Sequence, residues 1–153
     1  MDLDKRYIIA VDFDGTIVEH KYPEIGEEMM FAFDTLKALQ KKGHTLILWT
    51  YRTGRYLDDA VKYCEKNGLK FYAVNKSYPE EVYDEKEVSR KINADIFIDD
   101  RNVGGFLGWG EIYQILHPED GDFNHQLKNP EAHNNYKKEK KSFLGGLFGK
   151  KNK

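Results

Sequence analysis

Four short apolar runs alternate with amphipathic patterns along the chain. Each run is continuous rather than alternating, which is typical of a strand covered on both faces. The runs predict strands over residues 7–11, 46–49, 71–74 and 96–98. Apolar residues at steps of three and four predict helices over residues 27–42 and 55–67, and each is followed by a glycine suited to a helix C-terminus. Weaker patterns predict helices over residues 84–91 and 111–116.

This order of elements predicts an α/β fold. Strands that alternate with helices form βαβ units with right-handed crossovers, which gives a central, mostly parallel sheet with helices on both faces. Beyond about Pro118 the pattern dissolves into Gly, Asn, Pro and Lys. We therefore expect one folded domain over residues 1–120 and a polar, lysine-rich, flexible extension over residues 121–153.

Length and composition fit one globular domain. The chain has 153 residues, of which 40% are apolar and 33% charged. No run approaches 18 consecutive apolar residues, so no membrane span is expected. The N-terminus lacks the apolar stretch of a secretory signal, and we expect a cytoplasmic protein. The single cysteine, Cys64, excludes an internal disulfide and a cysteine-based metal site.

Charge is distributed unevenly along the chain. The total is −2, but residues 136–153 carry seven lysines and one glutamate, or +6, which leaves −8 on residues 1–135. An acidic body is not typical of a nucleic-acid-binding domain, and no specific nucleic-acid binding is expected. Apolar residues 143–148 lie between lysine clusters, a pattern compatible with weak contact to an anionic membrane surface. A mobile, solubilising tail is the more ordinary interpretation.

Acidic and hydroxyl residues follow three of the predicted strands. Because reactive groups gather at the carboxyl ends of parallel strands, we expect these residues to lie close together. Asp12 and Asp14 come directly after the first strand, with Gly15 allowing a sharp turn. Thr50 follows the second strand, and its hydroxyl can donate to a phosphate oxygen. Asp99-Asp100 follows the last strand, where Mg²⁺ would relieve the repulsion of adjacent carboxylates.

Each of these features also has an ordinary structural interpretation. Paired aspartates often form turns or cap helices, and a threonine before a helix is most often an N-cap. An acidic pair after a strand can be a solvated loop. The combination of all three features, in this order, is more informative than any one of them.

The combination resembles the four motifs of the haloacid dehalogenase (HAD) superfamily of phosphohydrolases. The resemblance rests on residues 12–16, Thr50, Lys91 and residues 99–100, and it covers about residues 6–116. It implies a three-layer, Rossmann-like fold and Mg²⁺-dependent transfer of a phosphoryl group to an aspartate. Residues 91–101 resemble small HAD proteins along their whole length, which favours Lys91 as the phosphate-binding cation over its rivals Lys76 and Arg90.

The resemblance also implies a role for each motif residue. Asp12 is the nucleophile that becomes an aspartyl phosphate. Asp14 protonates the leaving oxygen and then activates the hydrolytic water. Thr50 and Lys91 hold the phosphoryl oxygens. The Mg²⁺ cofactor is held by Asp12, the backbone carbonyl of Asp14, and Asp99, with Asp100 as a further ligand or support.

The short segments between the motifs leave no room for a cap domain. Only about ten residues, 17–26, separate the first motif from the next helix, and the residues from Thr50 to Lys91 are used by predicted elements. The protein therefore resembles capless HAD proteins, whose open site suits a large phosphorylated substrate or completion by a second copy in a homo-oligomer. The loop of residues 18–23 is placed to act as a small flap.

Four further residues are candidates for contact with the substrate. They are Gly15, Thr16, His20 and Arg52. Arg52 follows Thr50 closely and could instead form a structural ion pair, and His20, like its neighbour Lys21, could be an exposed loop residue.

Three alternatives to a phosphatase share some of these features. A receiver domain also combines acids, Thr and Lys on a parallel sheet, but its phosphorylated aspartate ends a central strand, where this chain has Val74-Asn75-Lys76. A non-catalytic, HAD-like phosphate-binding or scaffold protein is the alternative that the sequence leaves open. A phosphotransferase would need an acceptor site that the sequence does not reveal.

Overall fold

The computed structural model describes residues 5–120, and the structural statements below refer to these residues. The chain divides into two units, residues 1–109 and 110–153. The first unit carries the sheet, and the described part of the second is residues 110–120. The predicted extension over residues 121–153, including its lysine-rich tail, lies outside the described residues.

Four parallel strands form the sheet of the first unit. They are β1 (Ile8–Val11), β2 (Thr45–Leu48), β3 (Ala73–Val74) and β4 (Ile96–Ile98), in the order β3-β2-β1-β4. Val11 is level with Leu48 on one side and Ile98 on the other. Strands β2 and β3 lie in succession on one side of β1, and β4 pairs with β1 on its other side. Open α/β sheets bind ligands at such a reversal, here beside the carboxyl ends of β1 and β4. The prediction of an α/β fold with a parallel sheet is confirmed.

Residues 5–120 also form three helices. They are α1 (Ala32–Lys41), α2 (Gly54–Lys66) and α3 (Trp109–Leu116). The apolar stripe of α1 is buried because Phe33, Leu36 and Leu39 recur on one helix face. The Phe33 ring lies 5.8 Å from that of Tyr63, which joins α1 to α2. In residues 5–120 no helix has the length and apolar character needed to cross a membrane.

Both faces of the sheet are covered, as the continuous apolar runs predict. Ala10 and Ile47 point to one face and form a buried cluster with Ala73 and Ile92. Their sequence neighbours point to the opposite face. These neighbours, also buried, are Ile9, Val11, Leu46 and Leu48.

Two of the helix predictions were wrong in part or in whole. Helix α1 begins at Ala32 rather than near residue 27, because Glu27 and Met29 pair with residues 19 and 17 instead. Residues 84–91 do not form a helix. There the Asp84 carboxylate accepts a hydrogen bond from the Lys86 backbone N–H at 2.8 Å, which favours a turn. Most side chains of this segment are exposed, so packing does not stabilise a helix.

Candidate functional site

A tight turn carries the chain away from the end of β1. The backbone N–H groups of Ile17 and Val18 both donate to the Phe13 carbonyl, at 2.9 and 3.1 Å. Gly15 has φ of +85°, a conformation that side chains disfavour. A Cβ atom at this position would also overlap the Asp100 carboxylate. Gly15 therefore lets the turn after β1 lie directly against Asp100, two residues beyond the end of β4.

Thr16 fixes the relative positions of the acids that follow β1 and β4. Its hydroxyl donates to Asp12 Oδ2 at 3.2 Å and accepts a hydrogen bond from the Asp100 backbone N–H at 3.1 Å. Thr16 is fully buried, and its carbonyl accepts a bond from Trp109 Nε1 at 2.9 Å. The Asp12 backbone N–H donates to the Ile98 carbonyl at 2.9 Å, which extends the pairing of β1 with β4.

Three carboxylates meet at this edge of the sheet. Each of Asp12, Asp99 and Asp100 offers an oxygen, and these oxygens all lie within 4.8 Å of one another. Asp100 Oδ1 is buried and has no hydrogen-bond partner among residues 5–120. A buried carboxylate oxygen without a partner is costly, and a hard cation with oxygen ligands would satisfy it. This donor set therefore fits Mg²⁺.

Burial raises the pKa of Asp12 to about 7. The backbone hydrogen bond of Phe13 and the Thr16 hydroxyl oppose this shift, whereas the negative charges of Asp99 and Asp100 add to it. Without a cation, the Asp12 carboxyl is therefore only partly ionised near neutrality. A bound cation would favour the carboxylate, because it offsets the neighbouring negative charges.

A cavity of about 560 Å³ opens beside these carboxylates. Predicted site residues that line it are Asp12, Asp14, His20, Thr50, Arg52 and Asp99. The other lining residues were not predicted from the sequence; they are Tyr22, Trp49, Tyr51 and Arg101. The predicted residues Gly15, Thr16, Lys91 and Asp100 are not among its lining residues. Gly15, Thr16 and Asp100 instead lie in the turn and acid cluster behind Asp12.

Thr50 is held at the cavity by Asn75, which is not among the site residues predicted from the sequence. The Thr50 backbone N–H donates to Asn75 Oδ1 at 2.8 Å. Asn75 directly follows β3; its own N–H bonds to the Leu48 carbonyl and its φ is +54°. Asparagine tolerates this left-handed conformation better than most residues. A sequence indication existed, because Asn75 follows the third apolar run directly.

Asp14 and Arg52 form a bidentate ion pair. Arg52 Nε lies 2.7 Å from Asp14 Oδ2, and Arg52 Nη2 lies 2.7 Å from Asp14 Oδ1. The Asp14 side chain is only 12% exposed and the Arg52 side chain only 1%. Of the two interpretations of Arg52 that the sequence allows, this structure contains the ion pair, with the guanidinium at the wall of the cavity.

The cations considered for phosphate binding lie in different places. Lys91 is exposed, and its Nζ lies 5.7 Å from the centroid of the Phe97 ring. Arg90 lies over the Tyr83 ring at 5.0 Å. Arg101, which is not among the predicted cations, lines the cavity, and its backbone N–H donates to Asp99 Oδ1 at 2.8 Å.

The small flap predicted over residues 18–23 is part of a longer paired segment at the cavity, residues 17–29, which is called the flap from here on. The Glu19 N–H donates to the Glu27 carbonyl at 2.8 Å, and the Met29 N–H donates to the Ile17 carbonyl at 2.9 Å. The far end of the flap carries His20 and Tyr22, both of which line the cavity. The Tyr22 ring contacts the Tyr56 ring of α2 with centroids 5.6 Å apart. The flap therefore continues from the turn after β1 and contacts the start of α2 through Tyr22.

Comparison with known proteins finds similarity among solved structures. No family model matches the chain, and no curated protein matches it. A solved structure of a conserved protein from Bacteroides thetaiotaomicron is 54% identical in sequence and superimposes with a TM-score of 0.70. The match covers 82% of this chain and 100% of the Bacteroides chain. At this identity and coverage, the protein belongs to the same family as the Bacteroides thetaiotaomicron protein.

Proposed function

We propose that the protein is a Mg²⁺-dependent phosphohydrolase of the capless HAD type, which cleaves phosphomonoesters through an aspartyl phosphate on Asp12. One observation carries the proposal. The carboxylates of Asp12, Asp99 and Asp100 converge within 4.8 Å, and the buried Asp100 Oδ1 has no hydrogen-bond partner among the described residues. Such a cluster at the ends of two adjacent parallel strands is suited to a hard cation beside a nucleophile.

The cation would be held by the three carboxylates, with the backbone carbonyl of Asp14 as the further ligand that the resemblance implies. When bound, Mg²⁺ supplies positive charge that offsets the negative charge of the phosphoryl group and of the acids around it. Phosphoryl transfer depends mainly on positioning and charge neutralisation, so a small site of this kind is sufficient.

The residues of this chain carry out two successive steps. The Asp12 carboxylate attacks phosphorus, the bond between phosphorus and the ester oxygen breaks, and Asp14 gives a proton to the departing oxygen. Asp14 then takes a proton from water, which attacks the phosphorus of the aspartyl phosphate. Inorganic phosphate leaves and the Asp12 carboxylate is restored.

Thr50 and Lys91 hold the phosphoryl oxygens in this proposal. Thr50 supports it by position, because it lines the cavity and its loop is fixed by Asn75. The Thr50 oxygen accepts a hydrogen bond from the Arg52 N–H at 3.2 Å, so its own proton is free to be donated to phosphate. Lys91 would have to leave the Phe97 ring to reach a phosphoryl group at Asp12.

The surroundings of the cavity support a capless arrangement and an open site. Within residues 5–120, the segments between the motifs hold the flap, α1, α2, the strands of the sheet and an irregular segment over residues 75–95. Tyr51 lines the cavity and is almost fully exposed. We propose that the remaining features of the HAD fold, including its three layers, also apply to this chain. An open mouth of this kind suits large phosphorylated substrates.

Phosphate release from a panel of phosphomonoesters tests the proposal. The panel contains sugar phosphates, nucleotides and phosphopeptides, each assayed with Mg²⁺ and with EDTA. We expect release only with Mg²⁺, its loss in Asp12→Asn, and its retention in Asp34→Asn, which changes an exposed aspartate on α1. A folded protein that binds Mg²⁺ but releases no phosphate from any compound would instead support the non-catalytic phosphate-binding alternative.

A further inference from the structure

Arg52 makes more contacts than an ion pair with Asp14 requires. Its Nη1 donates to the Pro23 carbonyl at 2.9 Å, and its Nη2 donates to the Glu24 carbonyl at 2.8 Å. Both carbonyls belong to the flap. One guanidinium thus joins the Asp14 carboxylate, on the turn after β1, to the flap.

Two aromatic rings enclose the same guanidinium. Its central carbon lies 5.0 Å from the centroid of the Phe13 ring and 5.2 Å from that of Tyr22. Stacking of this kind suits a planar guanidinium and does not suit an ammonium group equally well. The rings leave Arg52 little freedom to change its rotamer while the flap stays in place.

The hydrogen bonds of Arg52 leave little capacity for a substrate. A guanidinium has five N–H donors. Two are used by Asp14 and two by the flap carbonyls. One Nη1 N–H remains. A phosphate that bound Arg52 through two hydrogen bonds would therefore have to displace one of these partners and leave a part-buried acceptor without its hydrogen bond, which is costly.

We infer that Arg52 is a positioning residue, which holds the Asp14 carboxylate and the flap together so that Asp14 faces the leaving group. This inference rests on the proposed function and assigns a role within that same site. Each Asp14 oxygen accepts one hydrogen bond from Arg52 and keeps a further lone pair, which can carry the proton that passes to the leaving oxygen or accept a proton from the hydrolytic water. Proton transfer depends strongly on orientation, so loss of the paired bonds should slow it.

The dependence on the leaving group separates this role from a merely structural one. A simple alkyl phosphate needs its leaving oxygen protonated, whereas p-nitrophenyl phosphate has a good leaving group and does not. The ratio kcat/KM reports the first irreversible step, in which the leaving group departs. We expect Arg52→Lys to lower kcat/KM for the alkyl phosphate by roughly 10²-fold, the low end of the range for general acid catalysis, and that for p-nitrophenyl phosphate by less than about 10-fold.

A double-mutant cycle with Asp14→Asn tests whether Arg52 acts through Asp14. If it does, adding Arg52→Lys to Asp14→Asn should change kcat/KM for the alkyl phosphate by less than about threefold. Losses that multiply in the double mutant, or equal losses on the two substrates with a raised KM, would show direct contact of Arg52 with substrate and overturn the inference. Arg55→Lys is the matched control, since Arg55 is 83% exposed, and it should leave the ratio of the two substrates unchanged.

A second variant covers the case in which Arg52→Lys does not fold. Tyr22→Leu removes one ring from the guanidinium, and Tyr22 is half exposed, so this change does not disturb the core. It should shift the leaving-group preference in the same direction by several-fold, and no shift in a folded, active Tyr22→Leu would count against the inference. A wild-type protein that releases no phosphate overturns the proposed function, and this inference with it. An active enzyme without the shift overturns the inference alone.

Discussion

At the scale of single residues, the Asp12 carboxyl is subject to opposing requirements. In the proposed mechanism, attack on phosphorus needs the Asp12 anion, whereas burial and the neighbouring acids favour the protonated form and raise the pKa of Asp12 from 3.8 to about 7. The acids that raise this pKa, Asp99 and Asp100, are the ones that would share a cation with Asp12. Under the proposed function, binding of the cation and activation of the nucleophile would therefore be coupled in this site.

The raised pKa of Asp12 predicts a pH-dependent cost to the metal-free protein. The folded state favours the neutral carboxyl, so ionisation of Asp12 should destabilise the fold increasingly between about pH 4 and pH 7, with the full cost above pH 7. The shift corresponds to a few kcal/mol at most. In EDTA, Asp12→Asn should therefore be more stable than wild type at pH 8 and nearly equal to it at pH 4, as measured by urea unfolding.

Two comparisons guard this prediction. Asp34→Asn is the matched control, since Asp34 is an exposed aspartate on α1. Mg²⁺ should stabilise the wild type at pH 8 and have little effect on Asp12→Asn. An Asp12→Asn protein that gains no stability at pH 8 would contradict the raised pKa.

Lys91 and Arg101 are two candidates for the phosphate-binding cation of the proposed function. The resemblance assigns this role to Lys91. We expect Lys91→Ala to lower kcat/KM by the factor that corresponds to a loss of about 2–4 kcal/mol of transition-state stabilisation. Arg101 is an exposed charge at the rim of the cavity, and Arg101→Ala should cost only a few-fold, mainly in KM. Steady-state kinetics of both variants on one substrate decide between them. The reverse ranking would transfer the role to Arg101.

At the scale of elements, the turn after β1 depends on close approach to the residue that follows β4. Gly15→Ala should destabilise the fold by about 3 kcal/mol, because the new methyl group meets the Asp100 carboxylate and φ is +85°. Gly68→Ala is the matched control. Its φ is +79°, but the methyl group would make only an ordinary contact, so it should cost about 1 kcal/mol.

Thermal unfolding and Mg²⁺ titration check this difference. Gly15→Ala should also weaken Mg²⁺ binding, since it displaces Asp100, whereas Gly68→Ala should leave it unchanged. Equal destabilisation by the two substitutions would show that the conformation of Gly15, and not its contact with Asp100, is what matters.

Periodicity predicted those elements whose apolar residues are buried, and it failed where local hydrogen bonds compete. All four strands and helix α2 lie close to their predicted positions because their apolar residues pack in the core. The start of α1 was missed because pairing of Glu27 and Met29 with the other arm of the flap is not local in sequence. The segment of residues 84–91 was missed because Asp84 favours a turn.

At the scale of the whole molecule, the positions of the acids could be predicted from the sequence, but the side chains that contact them could not. The rule that reactive groups gather at strand ends is enough to bring Asp12, Thr50 and Asp99 to one cavity. It does not predict that Arg52 pairs with Asp14, 38 residues earlier, because this contact depends on how the flap packs against α2. Nor does it predict Arg101, whose place follows only from the fold.

Detection of a phosphorylated Asp12 tests the central claim most directly. The protein is mixed with acetyl phosphate and Mg²⁺ and quenched in acid, and its peptides are analysed by mass spectrometry. The account predicts one added phosphoryl group on the peptide that contains Asp12, abolished by EDTA and by Asp12→Asn, and increased in Asp14→Asn because hydrolysis of the intermediate is slowed. Phosphate release that proceeds without this adduct, or that survives in Asp12→Asn, would contradict it.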